Sequence, residues 1–137
     1  MLAYIAGPMT SVPDFNYPAF FAAEKKLFEL GYDVLNPARH FGGDQSLPRE
    51  VYMRAAIEAV MKADCIVTLD RWASSRGANL EVNLGKELGL PIEHIDFIRP
   101  CAIAAYSEKD AGNVLSVLWL AIGFVALCAI CGVMGWL

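Results

Sequence analysis

Charge stops abruptly in this chain. All 11 basic and 15 acidic residues lie at or before Asp110, and the 27 residues from Ala111 to Leu137 contain no Asp, Glu, Lys, Arg or His. One packed domain is not built that way, so the pattern predicts two parts in different solvents. A helix over residues 114–137 rises ~36 Å at 1.5 Å per residue, enough to cross a hydrocarbon core of about 30 Å with some tilt. Trp119 and Trp136 stand near its two ends, where interfacial aromatics collect. The alternative, a buried core helix, fails on size, because a domain this small cannot surround a helix that is apolar on every face. The expected organisation is a folded domain over residues 1–97, a linker over 98–113 and a single transmembrane helix over 114–137. Every Lys and Arg precedes the helix, which predicts a cytoplasmic domain and makes membrane lipid an expected partner. No signal peptide is expected, since the apolar opening Met1–Ala6 ends after six residues at Gly7-Pro8.

The net charge of −4, with its basic residues scattered, argues against nucleic acid as a partner, which needs a basic stripe. A small anion held by backbone N–H groups needs no such excess. Cys65, Cys101, Cys128 and Cys131 have no spacing that suggests a disulfide framework or a zinc site. Cys128 and Cys131 form a C-x-x-C, read here as two small packing residues on a lipid-embedded helix, with a metal or redox role as the alternative. A reducing setting fits the domain best.

Within the domain, apolar runs and helical periodicities alternate. Leu2–Ala6 reads as a buried strand, turned by Gly7-Pro8. Asn16 is a cap candidate for a helix in which Phe20, Ala23, Leu27 and Leu30 share a face, and Gly31 stops it. A second strand at residues 32–37 leads into a loop over residues 39–48. Residues 49–63 form a helix with Met53, Ala56, Ile57, Val60 and Met61 on its apolar side. Cys65–Leu69 is a third strand, residues 78–88 a third helix, and Ile92 opens a fourth strand. This alternation predicts an α/β fold, a parallel sheet with helices on both faces, whose ligands sit at the carboxyl ends of the strands. Three loops should then meet there: residues 7–12, 36–43 and 70–77.

Glu81 is the carboxylate of most interest. It follows Ser75-Arg76-Gly77-Ala78, a small-residue entry to a helix whose free N–H groups suit an anion. Placed in the first turn, it either faces a ligand or merely complements the helix dipole, and spacing does not separate the two. Tyr4 is a strand tyrosine, either core or catalytic. Ser74 and Ser75 either cap the helix or bind phosphate. Trp72 covers the pocket or packs on a helix, and His40 and His94 are isolated residues with no assigned role.

Residues 4–10, Tyr-Ile-Ala-Gly-Pro-Met-Thr, and residues 16–20, Asn-Tyr-Pro-Ala-Phe, resemble the opening of small, often phage-encoded proteins of the DUF4406 type. Tyr52-Met53-Arg54 and the stretch with Trp72, Ser75, Gly77, Ala78 and Glu81 resemble that family's second half. The family is similar to nucleoside 2-deoxyribosyltransferases and to 2′-deoxynucleoside 5′-monophosphate N-glycosidases. The resemblance covers residues 1–92 and implies a flavodoxin-like fold and cleavage of an N-glycosidic bond. It implies Glu81 as the nucleophile at the anomeric carbon and Tyr4 as the residue that orients it. Gly7, Pro8 and Met9 are implied as the loop lining the sugar and phosphate pocket. No metal and no organic cofactor are implied, and a homo-oligomer is expected, with neighbours completing the pocket.

Two features refine what the resemblance implies. Ser75 stands where nucleoside transferases tend to carry an acid and monophosphate glycosidases a phosphate-binding serine, which favours a 5′-phosphorylated ligand. Ala56 stands where the related enzymes carry the aspartate that protonates the leaving base. Glu58 is roughly 200° around the helix from it and cannot substitute. The expected function is therefore hydrolysis or transfer at the N-glycosidic bond of a deoxynucleoside or deoxynucleotide. The rival is a nucleotide-binding module at a membrane that has lost catalysis, and a third reading is action on another ribosyl compound such as a dinucleotide.

Overall fold

A computed structural model describes residues 1–101 apart from Ser11 and Gln45. Residues 102–137 lie outside the described residues, and with them most of the expected linker and the expected transmembrane helix. Among the described residues no helix is long and apolar enough to cross a membrane.

Four strands, β1 (Leu2–Ala6), β2 (Asp33–Leu35), β3 (Cys65–Thr68) and β4 (Ile92–His94), form one parallel sheet in the order β2-β1-β3-β4. Helices α1 (Tyr17–Glu29), α2 (Arg49–Lys62) and α3 (Arg76–Glu87) make the crossovers. This order is the flavodoxin-like one.

Alternation along β1 explains the layering. Side chains of a strand point to opposite faces in turn. Tyr4 and Ala6 pack with Ile66 against Ala56, Ala59 and Val60 of α2 and Val82 of α3. Ala3 and Ile5 are equally buried, and α1 lies against β1 and β2 with its own buried row of Phe20, Ala23 and Leu27. The central strands β1 and β3 are therefore almost wholly apolar, as a sheet covered on both faces requires, and the one buried hydroxyl at the end of β3, Thr68 Oγ1, donates to the Glu93 carbonyl at 3.2 Å. Gly85 lets α3 approach β3, since a Cβ there would run into Ile66 Cδ1 and lie 3.3 Å from its Cγ1. The chain stays packed on this domain to its last described residue. Tyr32 Oη donates to the Arg99 carbonyl at 3.0 Å, Cys101 N donates to the Leu30 carbonyl at 2.9 Å, and Cys101 is buried.

Several local expectations change. Asn16 is not a side-chain cap: it adopts a left-handed conformation and its Nδ2 donates to the Pro8 carbonyl at 2.9 Å. It ends a left-handed run, Asp14 (φ 52°), Phe15 (φ 51°) and Asn16 (φ 58°), which costs such residues roughly 1–2 kcal/mol each. Residues 37–43, expected as plain loop, are wound into two tight turns that break at His40, which is extended (ψ 138°), and at Phe41, which is left-handed (φ 53°). Their entry is capped by Asn36, whose Oδ1 accepts from Ala38 N at 2.9 Å. Helix α3 starts two residues earlier than expected, at Arg76.

Candidate active site

In an open parallel sheet the ligand crevice lies where strand order reverses, here between β1 and β3. The two strands end level, Ala6 beside Thr68, and Leu69 N donates to the Ala6 carbonyl at 2.9 Å before the chains part. At that point Gly7 passes Leu69 closely. A Cβ at position 7 would stand 2.9 Å from Leu69 Cδ1 and 3.1 Å from its Cβ, so a side chain there would push the strand ends apart.

A cavity of about 250 Å³ opens beside this point, on the α2 and α3 side. Gly7, Met9 and Thr10 line it from the β1 loop, and Ser75, Gly77, Ala78 and Glu81 from α3 and its entry. Pro37, His40 and Asp44 reach it from the segment after β2, and Arg49, Tyr52, Met53 and Ala56 from α2. The three loops expected to meet do meet. Pro8 is the exception among the residues expected to line the pocket. Neighbours along an extended segment face opposite ways; Gly7 and Met9 face this cavity, while Pro8 lines a separate depression of about 380 Å³ near α1.

Glu81 does not sit in the first turn of α3, which holds no acid. It lies in the second turn, and it is buried, with 8% of its surface exposed. A helix-dipole role belongs to the first turn and usually to exposed groups, so geometry removes that reading. Burial pushes the Glu81 carboxyl up to about 7, an effect partly offset by the nearby Tyr4 hydroxyl. Tyr4 is fully buried and held well above its ordinary range, first by burial and then by the charge of Glu81. Its hydroxyl nevertheless meets no partner at full hydrogen-bond geometry among the described residues. The two groups face one another without closing a bond, which leaves the phenol available to follow the carboxylate.

Ser75 caps α3, its Oγ accepting from Ala78 N at 3.4 Å, and it also lines the cavity. Capping uses the oxygen as acceptor, so the hydroxyl proton remains free to be donated. An alanine at position 77 would touch only Met53 Sδ at 3.6 Å and Ser75 Oγ at 3.9 Å. Glycine there leaves room inside the cavity rather than relieving a clash. Ala56 lines the cavity and Glu58 is exposed on the far side of α2, as the helical spacing requires. Trp72 is not among the cavity residues and packs against the core of Tyr4 and Val82.

The cavity gains residues that spacing does not single out. Phe15 enters from the strained left-handed turn and Tyr17 from the first residue of α1, their rings 6.1 Å apart. The segment carrying His40 and Asp44 is held at both ends. Arg39 donates to Glu24 through Nε at 2.7 Å and Nη2 at 2.8 Å, and Phe41 meets Tyr52 edge-on at 5.4 Å. Tyr52 Oη also donates to the Asp44 carbonyl. Elsewhere, His94 Nε2 lies 3.2 Å from Asp70 Oδ1 and its Nδ1 3.5 Å from Asp96 Oδ2. Its two ring nitrogens face different carboxylates, both well exposed, which describes a surface histidine held between acids more simply than a cation site.

Fold and site together define a small doubly wound α/β domain with a buried carboxylate in the crevice at its switch point. The chain belongs to the family described as Domain of unknown function (DUF4406), whose model matches residues 1–94. Its structure is similar to that of a 2-desoxiribosyltransferase from Leishmania mexicana, with a TM-score of 0.55 at 18% sequence identity. The similarity covers 68% of this chain and 62% of that one. No curated protein matches the sequence.

The raised Glu81 carboxyl has a consequence for stability. Its folded pKa of about 7 lies above the ordinary 4.5, so the unfolded chain ionises first as pH rises. Stability is lost between about pH 4.5 and 7, by up to about 3 kcal/mol at 1.36 kcal/mol per pH unit. Glu81→Gln should therefore raise stability to urea at pH 8 and leave it nearly unchanged at pH 4. A variant no more stable than the parent at pH 8 would contradict the burial of a charge at this position.

Proposed function

We propose that this protein cleaves, or transfers across, the N-glycosidic bond of a 2′-deoxynucleoside or its 5′-monophosphate. The observation that carries the reading is Glu81, a buried carboxyl opening into a cavity at the sheet's switch point, with Tyr4 behind it. Departure of a base from C1′ leaves an oxocarbenium-like centre that a close carboxylate stabilises and then captures. In this scheme Glu81 attacks C1′ and forms a glycosyl ester, and water or a second base releases the sugar. Tyr4 orients the carboxylate and is free to bond it once the ligand fills the cavity. A shared phosphate site forms from Ser75 Oγ, the first N–H groups of α3 and the Arg49 side chain. The likeness to a 2-desoxiribosyltransferase fold supports this reading at the level of architecture.

One observation favours a second reading. Ala56 is a buried alanine in the cavity wall, at the position where the resemblance implies a proton donor. A module that binds the nucleotide without cleaving it fits that wall. Incubating the full chain with the four deoxynucleoside 5′-monophosphates and the matching nucleosides separates the two. Free base from at least one substrate, abolished in Glu81→Ala with the fold intact, is the expected result. Tight binding with no base release would establish the module instead.

We also propose that residues 114–137 anchor the domain in a membrane, on the grounds of their length, apolarity and terminal tryptophans. The full chain should require detergent for extraction, and deletion of 114–137 should free the domain into solution. Recovery of the full chain in the soluble fraction without detergent would end this proposal.

A further inference from the structure

Cleavage at C1′ needs a proton for the departing base, and such donors typically contribute 10²–10⁴-fold. The cavity wall offers few groups able to give one. Asp44 holds its carboxylate below the ordinary range, because its Oδ1 accepts from Ser46 N at 2.8 Å and from Ser46 Oγ at 2.7 Å. Tyr52 has committed its hydroxyl to the Asp44 carbonyl. Arginine, as at position 49, does not surrender its proton in a protein. Tyr17 packs its ring against Phe15 and Phe21, and a phenol is in general a far weaker acid than an imidazolium. Glu81 is required as the nucleophile.

His40 remains. It is half-buried, it lines the cavity that Glu81 and Ala56 also line, and its ring has no hydrogen-bond partner among the described residues. The backbone around it is fixed by Asn36, by the Arg39–Glu24 pair and by the Phe41–Tyr52 contact, so the ring is presented from a braced turn. We propose that His40 delivers the proton to the departing base, the role that Ala56 cannot fill. This inference rests on the glycosidic reading given above.

The step balances as follows. Glu81 bonds to C1′ as the C1′–N bond breaks, the electron pair stays on the base nitrogen, and the imidazolium proton of His40 passes to the base. Neutral His40 then takes a proton from water as its oxygen bonds to C1′ and frees the Glu81 carboxylate. The products are the protonated, neutral base and the free sugar. Burial lowers the His40 pKa, which makes its imidazolium a stronger acid at the expense of its population at neutral pH. A bound phosphate would restore part of that population, since a nearby anion favours the charged ring. The charged and titratable groups that line the cavity with His40 are Glu81 from α3, Arg49 and Tyr52 from α2, Tyr17 from α1 and Asp44 from its own segment.

The test compares His40→Gln with the parent, as full chains, on two substrates. One is a deoxynucleoside 5′-monophosphate that the parent cleaves. The other is the 5′-phosphorylated 2-deoxyriboside of 4-nitrophenolate, a leaving group that departs without a proton. The inference predicts a loss of at least about 100-fold in kcat/KM on the nucleotide and less than about tenfold on the nitrophenyl compound. The variant should also lose the fall in rate at high pH that the parent shows on the nucleotide. Equal losses on both substrates, with an unchanged melting temperature, would mean that His40 only shapes the cavity and would overturn the inference. An unchanged rate on the nucleotide would overturn it too. A parent that cleaves the nitrophenyl compound but no nucleotide would retain the glycosidic reading and refute a working donor at His40. Cleavage of neither substrate would remove both.

Discussion

Everything in this domain depends on how β1 and β3 separate. They run side by side, buried on both faces, until Ala6 and Thr68, and there the two strands give way to loops that part. Gly7 passes Leu69 with no space for a methyl group, so the ends of the strands stay close and the crevice between the departing loops stays narrow. Helices α2 and α3 wall one side of that crevice. The sheet order therefore decides where a ligand can go, and the glycine decides how near it can come to the strand ends.

Placing Glu81 in that crevice works against the fold. A carboxylate in the second turn of α3, 8% exposed, gains little from the helix N-terminus and loses most of its hydration. Tyr4 compensates only in part, since its hydroxyl faces the carboxyl without a full bond. A sequence selected for stability alone would put glutamine or an apolar residue at position 81. Strain of a second kind lies at Asp14–Phe15–Asn16, three left-handed residues in succession. That run carries Phe15 into the cavity and lets Asn16 hold the Pro8 carbonyl. Both departures from local preference fall at the same cavity, which is where functional strain collects.

The sheet was legible in the sequence because its central strands are short apolar runs bounded by Gly, Pro and Asp, and periodicity marks the helices between them. Alternation led to the parallel sheet with helices on both faces, while the flavodoxin-like arrangement was implied only by the resemblance of residues 1–92. The site was legible in its α3 part, where small residues precede Glu81, and in the resemblance of residues 4–10. It was less legible elsewhere, for physical reasons. Pro8 was misplaced because a motif names neighbours without saying which way each one faces. Glu81 was placed one turn early because the helix starts at Arg76, two residues before the apolar periodicity begins. His40 carried no signal of its own: its segment was expected at the carboxyl edge, but the ring's direction depends on Asn36, Glu24 and Tyr52, which are distant in sequence.

The proposed chemistry turns on a covalent bond between the Glu81 carboxylate and the sugar. Fluorine at C2 of the sugar slows release of such an ester, so a 2-fluoro-2-deoxyarabinosyl 5′-monophosphate of a base that the protein releases should trap it. Cleavage after Arg76 and Lys86 yields the peptide Gly77–Lys86, in which Glu81 is the sole carboxylate side chain. Mass spectrometry should find that peptide heavier by one fluorinated sugar phosphate, with fragmentation placing the mass on Glu81. Release of base with this peptide unmodified, or with the adduct on another residue, would rule out Glu81 as the nucleophile.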